Sequence, residues 1–284
     1  MYVYLEPHGG LNDILSSILF MKEYCKKHNR VLLVNGNKSV YNINFSEYFS
    51  LPGDPTIIFD TELVKKICTN LSYSIFPNVF QDKMLDIVEG RIVFKYSKYH
   101  RPIYLYGKMT LDLPNESRNE TIIVQSRGGG GMNGYPLFKQ LVFRQNILDI
   151  CNERCNRLKM PYLCIHIRNT DYKCDYTTYF LENESFIRSW KEIYVATDDQ
   201  SSIEFYRNNG LDVKNFTTFP KEPSKFKNLH ESNIDRHTKF VDTLCDIFIV
   251  ARSHKFISNS EGGFVELLRF IHNSNGLKVP VNRK

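Results

Sequence analysis

The sequence predicts an α/β protein made of two doubly wound, Rossmann-like halves that face each other across a cleft. Three observations carry that prediction. The chain has 284 residues, more than the usual size of one core. It opens as strand, glycine turn, helix and strand, and its second half alternates short apolar runs with helix-length amphipathic stretches, the pattern of parallel βα units. Between them lies the strongest breaker in the chain, QSRGGGGMNGYP at 125–136, with five glycines and a proline. The expected domains are therefore residues 1–135 and 136–284.

Taken in order, YVYLE (2–6) reads as a short strand broken by PHGG. Ile14, Leu15, Ile18 and Leu19 then give a helical apolar stripe, and RVLLVN (30–35) has the length and branching of a buried parallel strand. From about 40 to 120 only RIVFKYS and PIYLYGK look like strands. A helix is expected over 137–157, strands over 161–167 and 192–199, a helix over 200–209, and LDVKNF beyond it. A helix over 237–253, a strand over 255–260 and a Gly-Gly turn into FVELLRFIHN complete the second half.

Composition narrows the function classes. Hydrophobic residues make up 42% and only 11 residues are proline, as in an ordinary globular protein. The net charge of +6 is scattered rather than clustered, which excludes a nucleic-acid reading and suits anionic small molecules such as nucleotide sugars. Seven cysteines without framework spacing read as free thiols of a reducing compartment and leave no zinc site. No signal peptide and no membrane span is visible, so a cytoplasmic location is expected.

Three polar clusters stand at strand ends of the second half: His166, Arg168 and Asp171; Asp198 and Asp199; and Ser258, Asn259 and Ser260. Parallel strands joined by right-handed crossovers put their carboxyl ends on one edge, so the three clusters are expected to share one crevice. Arginine suits a diphosphate because its planar fork donates paired hydrogen bonds and stays charged. The amides of Gly262 and Gly263, opening a helix after Glu261, suit the same phosphates. No D-x-D triplet occurs, so no metal is expected and cationic side chains carry that work. Blander readings stand beside these: Arg168 and Asp171 also fit an i, i+3 ion pair, His166 a satisfied core histidine, and Asp199 a helix cap.

IHIRNTDY resembles the H-x-R-x-x-D element of the fucosyltransferase superfamily. IYVATDD is similar to the second motif of its α1,6 group, SHKFISNSEGGFVELL to its third, serine-containing motif, and HGGLNDILSSILF to its glycine-rich opening. The resemblance implies a GT-B fold with an N-terminal acceptor-side domain and a C-terminal nucleotide-sugar domain. It implies metal-independent, inverting transfer of a sugar, fucose from GDP-fucose, to a hydroxyl of an oligosaccharide acceptor. Carried over, Arg168 would hold the donor β-phosphate and His166 the nucleotide or ribose. Asp198 and Asp199 would position the donor side, and Ser258, Asn259, Ser260, Glu261, Gly262 and Gly263 would line the phosphate and nucleoside. Asp242 or Asp246 would sit near the base, and Gly9, Gly10 and Asn12 would form the opening loop. The base that deprotonates the acceptor is expected to be Asp13, with Asp171 and Asp175 as alternatives. The family carries a second arginine where this chain has Asn169, which leaves open another donor such as UDP-xylose, or a binding protein without catalysis.

Overall fold

Two all-parallel sheets, one in each half of the chain, organise the protein. The computed structural model describes residues 1–96, 104–107, 109–111, 117–129, 131–170, 172–222, 229 and 232–274. Asp171 and parts of the two expected strands between 91 and 108 lie outside the described residues.

The first unit, Met1–Arg144, runs β1 (Tyr2–His8), α1 (Leu11–Lys27), β2 (Val31–Val34), β3 (Phe49–Ser50), β4 (Ile57–Ile58), α2 (Thr61–Cys68), β5 (Ile75–Phe76), α3 (Met84–Glu89), β6 (Lys95–Tyr96), β7 (Tyr104–Tyr106), β8 (Met109–Thr110), β9 (Ile122–Gly128), α4 (Tyr135–Phe138) and β10 (Val142–Phe143). Its main sheet has the order β4-β2-β1-β9-β5, and every pairing in it is parallel. One face packs Tyr4, Leu33, Ile122 and Val124 against Val64, Cys68 and Ile87 of α2 and α3. Gly9 takes φ +89°, a left-handed turn open to glycine, and lets α1 start directly behind β1.

The division falls after Arg144 rather than at 135 because the intervening segment is tied to the first unit. Asn12 Nδ2 donates to the Met132 carbonyl at 2.9 Å, and the Gly134 amide donates to Asn12 Oδ1 at 2.8 Å. β10 then pairs antiparallel with β3. The single helix expected over 137–157 is thereby split.

The second unit, Gln145–Lys284, runs α5 (Gln145–Asn156), β11 (Leu163–Ile167), α6 (Tyr176–Arg188), β12 (Ile193–Thr197), α7 (Gln200–Asn208), β13 (Val213–Lys214), α8 (Arg236–Arg252), β14 (Lys255–Ile257) and α9 (Gly263–Asn273). The sheet order is β13-β12-β11-β14 with parallel pairings throughout. Alternate residues choose sides, as pleating requires. Leu163, Ile165, Ile167, Ile193 and Val195 pack with Phe180 and Ile187 of α6 and Ile203 and Tyr206 of α7. From the opposite face Tyr162 reaches the Ile249 carbonyl of α8 at 2.6 Å, and Tyr194 reaches Asp246 of α8, also at 2.6 Å. Among the described residues no helix is long and apolar enough to cross a membrane.

Candidate functional site

At the carboxyl edge of the second sheet the His166/Arg168 and Ser258/Ser260 clusters are joined by direct hydrogen bonds, and Asn169 and Thr170 link Asp198 and Asp199 to them. His166 is buried at the end of β11, on the face opposite Ile165 and Ile167. Its carbonyl accepts from Ser258 Oγ at 2.7 Å, and its Nδ1 lies 3.2 Å from the same oxygen. Ser258 has one proton, already given to that carbonyl, so Nδ1 carries the imidazole proton and Nε2 keeps a lone pair. Burial, with Arg168 and Arg269 nearby, lowers the His166 pKa to about 3, so the ring is neutral at physiological pH.

Arg168 follows the strand, its amide held by Ser260 Oγ at 2.9 Å. Ser260 is fully buried and passes its own proton toward Cys174 Sγ at 3.7 Å. One guanidinium nitrogen lies beside the start of α9: a Cβ added at Gly262, whose φ is +108°, would lie 3.2 Å from Arg168 Nη1. No side chain caps α9, so the unmatched amides of its first turn and a guanidinium occupy one place. The chemistry of such a juxtaposition suits an anion. Asn259 Nδ2 is bonded to the Asp175 carbonyl at 2.9 Å, while its Oδ1 is buried without a hydrogen-bond partner. Tyr172 donates to Glu261 across the mouth at 3.2 Å.

Asp198 and Asp199 brace the loop after β11. The Asn169 amide and the Thr170 hydroxyl donate to the two carboxylate oxygens of Asp198 at 2.8 and 2.6 Å. Asn169 Nδ2 donates to Asp199 Oδ2 at 2.6 Å, and Asp199 also caps α7 through the Ser201 amide at 3.0 Å. The capping reading of Asp199 is realised, and the same carboxylate also holds the Asn169 side chain. Thr170 and Cys174 are members that sequence reasoning missed; no spacing rule marks a threonine that serves a carboxylate 28 residues away.

Several expected residues take other places. Asp242 and Asp246 lie inside the unit, behind the loop that follows β13. Asp246 accepts from Tyr194, and Asp242 is ion-paired with Arg154 at 2.7 Å and accepts from the Thr218 amide at 2.7 Å. One oxygen of each reaches that loop, through the Thr218 amide and the Thr217 hydroxyl, and the others serve Arg154 and Tyr194. Asp175 caps α6 through the Thr178 amide, and hydrogen bonds from Thr178 and Thr177 pull its pKa to about 2, too acidic for a base. In the first unit both ends of the Asn12 amide are consumed by the 132–134 segment. Asp13 is packed between Gly9 and Gly129, where an added Cβ at either would come within 2.7 Å of a carboxylate oxygen. Gly10 precedes α1 in extended geometry.

Burial raises the Asp246 pKa to about 7, reinforced by Asp242 and opposed by the Tyr194 bond and Arg154. The folded protein therefore holds a proton that the unfolded chain releases near pH 4, and stability falls as pH climbs from about 4 to about 7. Asp246→Asn keeps an acceptor for Tyr194 and cannot ionise. Denaturant titrations across that range are expected to show a shallower decline for this variant than for the native chain.

No family model matches the sequence, and no curated protein does. Solved structures do match. NodZ α1,6-fucosyltransferase soaked with GDP-fucose aligns over 97% of this chain and 96% of its own, with a TM-score of 0.60 at 14% identity. Fucosyltransferase NodZ from Bradyrhizobium aligns over 94% and 92%, with a TM-score of 0.60 at 15% identity. POFUT1 in complex with GDP aligns over 94% and 92%, with a TM-score of 0.55 at 12% identity. Both parallel-sheeted units are thus accounted for, and the chain has the GT-B-like fold of these fucosyltransferases.

Proposed function

We propose that this chain is a glycosyltransferase that moves fucose from GDP-fucose to a hydroxyl of an oligosaccharide, with inversion and without a metal ion. The observation that carries the reading is the Arg168 guanidinium lying beside the uncapped start of α9. The fold is shared with a NodZ enzyme soaked with GDP-fucose and a POFUT1 bound to GDP, and in this fold that position suits a diphosphate.

The chemistry follows from the groups present. Breaking the bond between the sugar and the diphosphate leaves negative charge on the β-phosphate. Arg168 and the α9 amides offset that charge as it grows, which is the role otherwise open to a cation. His166, neutral with its lone pair on Nε2, accepts from a ribose hydroxyl. Asp198 and Asp199 act through Asn169 and Thr170, holding the loop that carries Arg168.

Thermal-shift measurement with GDP-fucose, GDP-mannose, UDP-xylose and UDP-glucose tests the reading. At 100 times its Kd a ligand stabilises by roughly 2.7 kcal/mol, and GDP-fucose is expected to give the largest shift. A larger shift with a UDP sugar would reassign the donor; no shift with any of the four would overturn the reading.

A further inference from the structure

The loop between β14 and α9 is tied down twice, once through its serine hydroxyls and once through their carbonyls. The hydroxyls turn to β11: Ser258 Oγ donates to the His166 carbonyl at 2.7 Å, and Ser260 Oγ accepts from the Arg168 amide at 2.9 Å. The carbonyls turn to α9, where Arg269 Nη2 donates to Ser258 O at 3.3 Å and to Ser260 O at 3.4 Å. Arg269 Nη1 pairs with Glu266, three residues earlier on the same helix. One guanidinium thus serves three acceptors from two segments, a reach for which its rigid planar fork is shaped and a lysine ammonium is not.

The two parts of that arrangement differ in weight. The side chains of Arg269 and Glu266 are 39% and 50% exposed, and an ion pair so open to water contributes little. The carbonyl contacts act on a segment whose hydroxyls are already committed. Ser258 Oγ also accepts from the Ser260 amide at 3.1 Å and stands 3.2 Å from His166 Nδ1, and Ser260 is fully buried. A shift of this loop would therefore disturb the imidazole, the Arg168 amide and the start of α9 together. The Arg269 charge is also near enough to His166 to join burial and Arg168 in lowering its pKa.

We propose that Arg269 is a positioning residue of the nucleotide site: by holding the carbonyls of Ser258 and Ser260 it fixes the hydroxyls that orient His166 and Arg168. This rests on the glycosyltransferase reading above, and every group in it belongs to the second unit. Arg269 acts on the nucleotide through the two serines rather than by touching it. The consequence is coupling. Removing Arg269 costs binding only as far as the serine hydroxyls carry its effect, so the cost shrinks once such a hydroxyl is gone. A residue that merely stabilised the unit would cost the same with the hydroxyl or without it.

The test titrates GDP calorimetrically into the native chain, Arg269→Met, Ser260→Ala and the double variant, with circular dichroism to check folding; UDP takes its place where a UDP sugar gives the larger thermal shift. Arg269→Met is expected to weaken binding about tenfold, the low end of what losing a partner that orients an ion-binding ligand costs. With Ser260→Ala already present, the same change is expected to cost about threefold or less. Arg269→Lys is expected to fall between native and Arg269→Met, since the charge stays and the fork is lost; it completes the cycle if the methionine variant does not fold. Glu266→Gln is expected to bind within about twofold of native, which separates the carbonyl contacts from the exposed ion pair. A native chain that binds the nucleotide while Arg269→Met stays within about threefold of it overturns this assignment alone. An equal loss with and without the Ser260 hydroxyl makes the role structural and overturns it too. A native chain that binds neither GDP nor UDP overturns the glycosyltransferase reading, and the positioning role with it.

Discussion

Arg168→Ala is expected to lower kcat/KM for sugar transfer by roughly a thousandfold while the protein keeps its fold. Removing a single donor aimed at developing negative charge costs on the order of 100- to 1,000-fold, and here the donor carries a full charge as well. The fold is spared because the contact that locks this part of the loop uses the residue's amide, bonded to Ser260, and alanine retains it. Arg168→Lys is expected to recover part of the rate, since it restores the charge without the planar fork. Steady-state kinetics on the three proteins, with circular dichroism to check folding, decide the matter. An alanine variant within tenfold of native would remove Arg168 from the chemistry.

Arg154→Met is expected to destabilise the second unit by about 3 to 5 kcal/mol, the largest single effect on stability. Arg154 on α5 pairs at 2.7 Å with Asp242 on α8, whose side chain is only 4% exposed. The contact is an ion pair off hydrogen-bond geometry, so its value lies in neutralising a buried charge. Without it Asp242 keeps the Thr218 amide as a partner but remains charged and enclosed. Against a typical total of about 5 to 15 kcal/mol such a loss is severe. Adding Asp242→Asn to Arg154→Met is expected to return most of it, because the stranded charge is then gone. Denaturant midpoints of the single and double variants measure both effects, and a single variant within about 1 kcal/mol of native would contradict the account.

The parts of the fold that were readable in the sequence are those whose burial is written in consecutive residues. β1, β2, β11 and β12 are short apolar runs, and α8 buries a wide stripe. α6 was not anticipated because among its residues only Phe180 and Ile187 are buried, too few to set a helical period. β9 was hidden because its apolar core, Ile122 to Val124, is only three residues long and its remainder, Gln125 to Gly128, belongs to the segment that reads as a breaker. The two-residue strands β3 and β10 depend on a partner more than 90 residues away, which local pattern does not show. At the site, the three clusters and their shared edge were legible from parallel βα order. The bonds that knit them, such as Asn169 to Asp199, were not, because pairing across loops depends on the strand order and length of the finished sheet.

Asn169 has a consequence for the speed of binding. Two aspartates at the lip of an anion site would repel an incoming diphosphate if their oxygens faced solvent. Here those oxygens are occupied by the Asn169 amide, the Asn169 side chain, the Thr170 hydroxyl and the Ser201 amide. With that acidic pair turned toward the loop, its repulsion at the mouth is reduced where Arg168 and the positive end of α9 lie close together. Encounter with an anionic donor should then be electrostatically assisted, and its on-rate should fall as salt shortens the reach of their field to about 10 Å at 0.1 M.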